Sequence, residues 1–409
     1  RNKNRILVFI GIFVSRISGY IRDFVIARYF GANIFTDAFF NAFTIPNLLR
    51  GIFAEGNLSS AFIPNFFDEL KKSKEHSIEL CRAVFSFLLY TTIIISLIGM
   101  LFSTEIASIM GYGFKSEEAK ILSGEYLKIM FPILIFISIS ALCIGVLNSF
   151  HRFFITSAAP TILNLGMIIF VVFLRDFFGD TQDTKILSLC YGTLFGAIIY
   201  FLVLMFPYLK AGYKFSLKLR LNYEPLKKTI KLMLPGIPGQ AIYEINFISN
   251  RIIASFLGVG SISYLYYANR LYQFPLALFG IGISSVLLTS AAKDASNNDL
   301  KMLLNNYYDT FKFMAYFIIP ITLLSVLTAD KISLLVYQKS GEFNNKTTIA
   351  LQCYLLGLLA YAGANISAQI YYSLKDTFTP VKFSAMNMLL NIVLNVLIVL
   401  IWQNNDTRF

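Results

Sequence analysis

The sequence predicts an all-α polytopic membrane protein with two pseudo-symmetric helical lobes. Three observations carry that reading: a composition too apolar for a soluble domain, apolar runs of spanning length from end to end, and a repeat at a fixed offset. Only 14% of the 409 residues are charged and 56% are hydrophobic, whereas soluble domains carry about 25% charged residues. A helix needs about 20 predominantly apolar residues to cross roughly 30 Å of hydrocarbon. About eleven such runs follow one another: 6–30, 37–66, 80–109, 122–149, 158–178, 186–208, 227–257, 262–291, 305–327, 347–373 and 380–402. The first is too long and too charged to be a cleavable signal peptide.

The repeat divides the chain. "IARYFGANIFTDAFF" from Ile26 aligns with "IASFLGVGSISYLYY" from Ile253 at an offset of 227, and "RFFITSAAPTILN" from Arg152 aligns with "KDTFTPVKFSAMN" from Lys375 at 223. Nearly equal offsets point to a duplicated six-helix unit. An even number of spans per half makes the repeats parallel, related by an axis along the membrane normal. The predicted domains are an N-terminal lobe, 1–208, with six spans, a basic cytoplasmic linker, 209–226, and a C-terminal lobe, 227–409, with five spans. The sixth span of the second lobe is expected beyond the end of this sequence, which also begins without a Met.

The net charge of +12 would suggest nucleic acid in a soluble protein. Here it follows the positive-inside rule. With the N-terminus in the cytoplasm, cytoplasmic segments hold eighteen Lys and Arg, from Arg1 and Lys3 to Lys375 and Lys382, and the opposite side holds eight. Nucleic acid is therefore not an expected partner. Cys81, Cys143, Cys190 and Cys353 form no CxxC pattern, and His76 and His151 are the only histidines. Disulfides, metal sites and cofactors are not expected. No nucleophile elbow, HExxH or Walker A motif is present, so the chain reads as a transporter and not an enzyme.

Charged residues inside the spans carry the functional signal. Arg16 and Arg50 lie near the middle of the first and second runs and Arg270 lies in the eighth. Each costs at least about 2.5–3.5 kcal/mol if it faces lipid at mid-depth. At 100° per residue Arg16 and Asp23 fall about 20° apart, while Ser15 and Arg22 align about 120° away. The second run, "TIPNLLRGIFAEGNLSSAFIPNF", is too polar to face lipid throughout. One reading is structural, with the arginines pairing to Asp23, Asp37 and Glu55 to lock helices together. Against it, Arg16, Arg22, Arg28, Arg50 and Arg270 outnumber those acids, and only Arg28 is placed to snorkel to an interface. Arg16, Arg22, Arg50 and Arg270 are thus candidates to line a cationic cavity. Guanidinium groups bind phosphate through forked, charge-assisted hydrogen bonds, so the expected substrate is an anion with phosphate. Glu244 and Arg251 share a face of the seventh run, and "LPGIPGQ" at its start is a candidate hinge.

These residues also resemble a family. "SRISGYIRDFVIARYFGANIFTDAFFNAFTIPNLLRGIFAEGNLSSAFIPNF", from Ser15 to Phe66, is similar to the first two spans of the MurJ (MviN) lipid II flippases. "YYANRLYQFP" and "LNSFHRFFITSAAPTILN" resemble the same family further along. The resemblance implies membership of the multidrug/oligosaccharidyl-lipid/polysaccharide exporter superfamily: two six-helix lobes facing a cavity, then two helices forming a groove for the lipid tail. It implies movement of undecaprenyl-diphosphate-linked disaccharide-pentapeptide, lipid II, from the inner to the outer leaflet of the bacterial cytoplasmic membrane for cell-wall synthesis. The expected partners are lipid II, membrane lipids and cell-wall synthesis machinery. The implied substrate-binding residues are Ser15, Arg16, Arg22, Asp23, Asp37, Asn47, Arg50, Glu55 and Arg270. Asn269 departs from an acidic residue found in some relatives. Alternatives are a flippase for another polyprenyl-diphosphate-linked glycan, a multidrug exporter of the same superfamily, and a non-transporting scaffold. A cation exporter should bury acids, and this chain has surplus arginine.

The charge asymmetry places Lys72 and Lys218 in the cytoplasm and the 114–120 loop outside. In a cysteine-free background, Cys at Ser116 is expected to react with an impermeant thiol reagent in intact cells, and Cys at Ser73 is not. The opposite pattern reverses the orientation.

Overall fold

The computed structural model describes residues 2–53, 57–234, 237–277, 291, 300–374 and 376–406, which are helical apart from short connections. Helix α1 (Asn2–Phe30) runs 29 residues, or roughly 43 Å at 1.5 Å per residue. It stops where Gly31 takes a left-handed φ of 69°, a conformation that costs glycine little. The Asn33 side chain then accepts the backbone N–H groups of Phe35 and Thr36, both at 3.0 Å, capping α2 (Ile34–Phe53). Next come α3 (Asn57–Lys72), α4 (Lys74–Leu101), α5 (Ser103–Met110), α6 (Glu117–Met130) and α7 (Ile133–Ser149). Ser73 and Ser116 supply side-chain caps for α4 and α6. A short α8 (Phe153–Ala158) leads into α9 (Pro160–Ile169), whose axis continues through a π turn at Phe170–Leu174. The small α10 (Gln182–Lys185) and long α11 (Leu187–Lys210) follow.

Among the described residues, seven helical stretches have the length and hydropathy of membrane spans: 74–101, 117–149, 153–177, 182–210, 301–327, 342–373 and 378–401. Each lies on one of the predicted apolar runs. The other predicted runs are helical too wherever they are described. Their charges and breaks distinguish them, as in α1 with Arg16, Arg22, Asp23 and Arg28.

The start of the seventh run is a correction. Helix α12 (Glu224–Met233) is separate from α13 (Ile237–Ser255). Leu226 and Thr229 are buried, whereas Lys227, Lys228 and Lys231 are exposed. A helix buried on one side only lies along a surface, and α12 packs on α3 and α4. Asn65 in α3 donates to Pro225 O at 2.6 Å and to Thr229 Oγ1 at 2.7 Å. Lys228 reaches Asp68 at 2.9 Å, and that hydrogen-bonded ammonium holds the Asp68 carboxyl below its ordinary pKa. The "LPGIPGQ" hinge lies largely outside the residues whose side chains are described.

The main apolar core joins α3, α4, α7 and α11 through Phe62, Phe66, Leu80, Val84, Leu142 and Leu204. It extends into the basic segment after α11. Tyr213 packs on Phe66 at 5.7 Å and Phe215 stacks on Tyr208 at 4.9 Å. Aromatic anchors therefore order a segment whose charges alone would leave it solvated. The fifth and sixth spans meet differently. A Cβ on Gly166 in α9 would lie 2.6 Å from Gly196 Cα and 2.7 Å from Gly192 O in α11. Gly192 and Gly196 form the small-xxx-small spacing that lets helix backbones touch.

Packing divides the chain into Arg1–Val259 and Gly260–Phe409. In the first unit, α13 packs on α2 and α5, and the backbone N–H of Gly113 donates to Ser255 Oγ at 2.8 Å. The second unit contains α14 (Ser261–Pro275), α15 (Leu300–Leu327), α16 (Ala329–Tyr337), α17 (Glu342–Leu356), α18 (Leu358–Ser373) and α19 (Phe378–Asp406). Tyr267, Tyr337 and Phe343 pack together, and Tyr337 Oη donates to Tyr267 O at 2.9 Å. The sequence repeat has a local counterpart: α2 begins at Ile34 and α14 at Ser261, and the aligned Thr36 and Ser263 are both buried.

Gly166→Ala is expected to destabilise the protein by about 1–3 kcal/mol, the usual range for overpacking, because backbone rather than a movable side chain stands in the way. Gly258→Ala, where nothing lies within 4 Å, is the neutral comparison. Thermal unfolding of both variants in detergent reads the difference.

Candidate functional site

Helix α1 builds the site from a run of small and polar residues on the side facing α8 and α9. Gly11, Ser15, Ser18 and Arg22 follow at intervals of three and four, so they stack along one stripe. Gly11 approaches Ser157 of α8 so closely that an added Cβ would overlap its hydroxyl. Ser18 and Asn164 then meet, with Asn164 Nδ2 donating to Ser18 Oγ at 2.8 Å and to Ser15 O at 3.4 Å. Ser18 Oγ donates to Ser15 O at 2.8 Å.

Arg22 ends this stripe, 8% exposed, with Asp23 beside it at 2%. Its Nε and Nη2 donate to Asp23 Oδ1 at 2.9 and 2.7 Å. Its Nη1 donates to Asn164 Oδ1 at 2.9 Å. The guanidinium thus meets a charged acceptor on its own helix and a neutral one on another. Burial of an ion is tolerable when it is paired and hydrogen-bonded, and both conditions hold here. Sequence geometry put Asp23 on the face of Arg16, but its ion pair is with the adjacent Arg22. The long arginine side chain reaches around the helix, which an angle measured at Cα does not show.

Arg16 is exposed, and among the described residues it makes no ion pair or hydrogen bond. It lies roughly 9 Å along the axis from Arg22 and about 120° around it, away from the contact with α9. Ser15 is half-buried. Asp37, in the first turn of α2, is 3% exposed. Asn47 and Arg50 follow on α2, both half-buried. Glu55 lies outside the described residues.

Arg270 belongs to the second unit and is half-buried in α14. Its Nε and Nη2 donate to Tyr266 Oη at 3.3 Å, and its Nη1 donates to Gln273 Oε1 at 3.2 Å. Gln273 in turn donates to Asn269 Oδ1 at 2.8 Å. Neutral acceptors thus help to orient this guanidinium. Glu244 is buried in α13, and Arg251 lies over the Phe247 ring at 5.6 Å.

Two polar residues escaped the sequence reading. Asn164 sits alone in "PTILNLGMII"; a single amide in an otherwise apolar span was its available signal, since such a group needs partners away from water. Asn41 in α2 donates to Ala107 O at 3.0 Å and Ser123 Oγ at 2.8 Å, tying α2 to α5 and α6. Among the described residues no group of three or more His, Cys, Asp or Glu is placed to hold a metal ion.

Comparison with known proteins narrows what this arrangement serves. A family model described as lipid II flippase MurJ matches residues 26–405. A probable lipid II flippase MurJ of Buchnera aphidicola subsp. Schizaphis graminum is 36% identical over 418 residues, covering 98% of this chain and 79% of that protein. Its counterpart in Vibrio cholerae is 32% identical over 412 residues, covering 97% and 77%. Among solved structures, a lipid II flippase MurJ in an inward closed conformation superposes with a TM-score of 0.81 at 30% identity, over 96% of this chain and 81% of that one. An inward-facing multidrug resistance MATE family transporter of the MOP superfamily has a TM-score of 0.72 at 15% identity, over 94% and 88%. That last likeness is one of fold alone.

Removing Asp23 takes a charged partner from the buried Arg22. Asp23→Ala is expected to cost about 3–5 kcal/mol, as other broken buried pairs do, whereas Arg16→Ala at its exposed position leaves stability near wild type. Melting of the purified variants in detergent checks both.

Proposed function

The chain belongs to the MurJ family of lipid II flippases, and from that premise we propose that Arg22, held in α1 by Asp23 and Asn164, binds the diphosphate of lipid II during transport. The protein is a multi-pass membrane transporter that flips lipid II. The observation that carries the binding assignment is a buried guanidinium inside an apolar helical bundle, oriented by acceptors on two helices. Diphosphate presents oxygens that match the guanidinium fork. Arg16 and Arg50 add positive charge in the same unit, and Arg270 adds it in the second. We assign Ser15, Asp37, Asn47 and Glu55 to polar contacts with the headgroup or to partner exchange with the arginines.

The charge asymmetry of the loops supports a cytoplasmic N-terminus, and family membership supports residence in the bacterial inner membrane with transport from the inner to the outer leaflet. Alternating access suits a bundle of this fold. We read 1–208 and 227–409 as the moving lobes, joined by the basic linker. The contact of α13 with α2 and α5, sealed by Gly113 and Ser255, is then an outer-side contact that opens in the cycle. Cell-wall synthesis enzymes that consume the flipped product are the partners this function calls for. Among the described residues buried acid outnumbers buried arginine, with Asp23, Asp37 and Glu244 against Arg22, so charge alone does not exclude a cation exporter; family membership selects lipid II over cations and over other polyprenyl-diphosphate glycans.

Arg16→Ala, Arg22→Ala, Arg50→Ala and Arg270→Ala are each expected to weaken lipid II binding and flipping, with Arg28→Ala as the exposed control. Loss of one charged hydrogen bond is worth about 1.5–3 kcal/mol, or roughly one to two decades in affinity. Arg→Lys keeps the charge but loses the planar fork, so each lysine variant should fall between alanine and wild type. The readouts are lipid II binding to purified protein and outer-leaflet lipid II in a flippase-depleted strain at matched expression. Four alanine variants that bind and flip like wild type would make these arginines structural.

A further inference from the structure

We propose that a cavity at the cytoplasmic end of the first unit holds the headgroup of an anionic phospholipid of the inner leaflet. The site is separate from Arg22 and does not depend on its reading as a diphosphate ligand; it rests on the placing of the N-terminus in the cytoplasm. The cavity has a volume of about 330 Å³ and lies between the first turns of α1, the start of α8 and the end of α11. Leu7 of α1, Phe153 and Phe154 of α8 and Pro207 of α11 form part of its apolar wall, and His151 and Arg152 give it polar groups. Small-molecule pockets occupy about 300–1,000 Å³. A volume at the lower end suits a glycerophosphate head and not a disaccharide-pentapeptide.

Arg152 supplies the charge. It is exposed, and among the described residues its side chain makes no ion pair or hydrogen bond. Arg220, by contrast, reaches Glu79 at 3.3 Å. No acid is among the residues that line the cavity, so an anion there meets attraction without a built-in competitor.

His151 supplies a second donor, at a backbone position that disfavours any side chain. Helix α7 ends in a Schellman turn, with the His151 N–H donating to Asn148 O and the Arg152 N–H to Leu147 O, both at 3.0 Å. The turn holds His151 at φ 58°, the left-handed position that glycine usually fills. A Cβ there is costly, and the turn itself has no use for one. The imidazole lies 5.6 Å from the Phe153 ring and lines the cavity. It presents an N–H in either tautomer. Thr156 Oγ1 donates to Asn148 Oδ1 at 2.7 Å, which ties the turn to α8 and fixes the support of both donors.

Two donors beside an apolar wall match a phospholipid: phosphate on the guanidinium and imidazole, glycerol and the first acyl carbons on the phenylalanines. Free phosphate would satisfy the donors and leave the wall wet. Basic pockets between spans on the cytoplasmic side capture anionic headgroups in this way. A lipid seated here touches α1, α8 and α11 together.

Native mass spectrometry of the purified full chain, titrated with phosphatidylglycerol, tests the assignment. Arg152→Gln should weaken the tightest-bound phosphatidylglycerol roughly tenfold, whereas Lys231→Gln, which removes another exposed charge, should not. His151→Gly should also weaken it, while the melting temperature in lipid-free detergent stays at or above wild type because glycine suits the turn. Phosphatidylcholine should bind wild type more weakly and respond to neither change. Arg152→Gln that binds like wild type overturns the proposal, as does Lys231→Gln that weakens binding equally, since the attraction would then be diffuse. Full affinity in His151→Gly overturns it too, because that residue would serve the turn alone. Inorganic phosphate that displaces the lipid at equal concentration would make the ligand a free anion. Lipid II binding that falls as far as phosphatidylglycerol binding in Arg152→Gln would make this a substrate site. Either result overturns the phospholipid assignment, and neither bears on Arg22.

Discussion

A guanidinium held inside a membrane-spanning helix is the constraint from which much of the first unit follows. Arginine cannot shed its proton in a protein, so Arg22 cannot escape the cost of burial by becoming neutral, as a buried lysine or carboxylate can. It must be met by acceptors. Asp23, one residue away, offers charge but cannot fix the guanidinium alone, because both belong to the same turn of α1. Asn164 supplies the second point, from α9. Two anchors on two helices define a position; one would define only a neighbourhood.

That requirement passes outward through the bundle. Asn164 can hold Arg22 only if α9 stays in register with α1 on one side and α11 on the other. On the first side, small and polar residues let α1 approach: Gly11 against Ser157, and Ser15 and Ser18 against Asn164. On the second, Gly166 meets Gly192 and Gly196 backbone to backbone. Lipid gives helices no hydrophobic reason to associate, so close packing and interhelical hydrogen bonds must do it. Glycines in α9 and α11 thus bear on where the Arg22 guanidinium lies.

The general architecture was legible in the sequence because the membrane imposes a single rule, that backbone polar groups be satisfied within the segment. Apolar runs of spanning length then have to be helices, and the structure is helical along every predicted run that is described. The span arginines were legible for the same reason, since each stands out against an apolar background. Two things were not. Helix α12 looked like the start of a span because its leucines and isoleucine sit in a continuous run; only the alternation of buried Leu226 and Thr229 with exposed Lys227, Lys228 and Lys231 shows that it lies on a surface. Which arginine pairs with Asp23 was not legible either, because helical angles locate Cα atoms, while the Arg22 guanidinium swings several ångströms from its own.

Asn164 was missed for a further reason that bears on how such sites work. Sequence reading weighs charge, and the residue that completes this cluster has none. Burial of a permanent cation needs both charge and direction. Asp23 carries an ion pair that permits burial of Arg22, and the Asn164 amide fixes its direction from a second helix without adding charge. A neutral member of such a cluster therefore shapes it as much as the charged ones do.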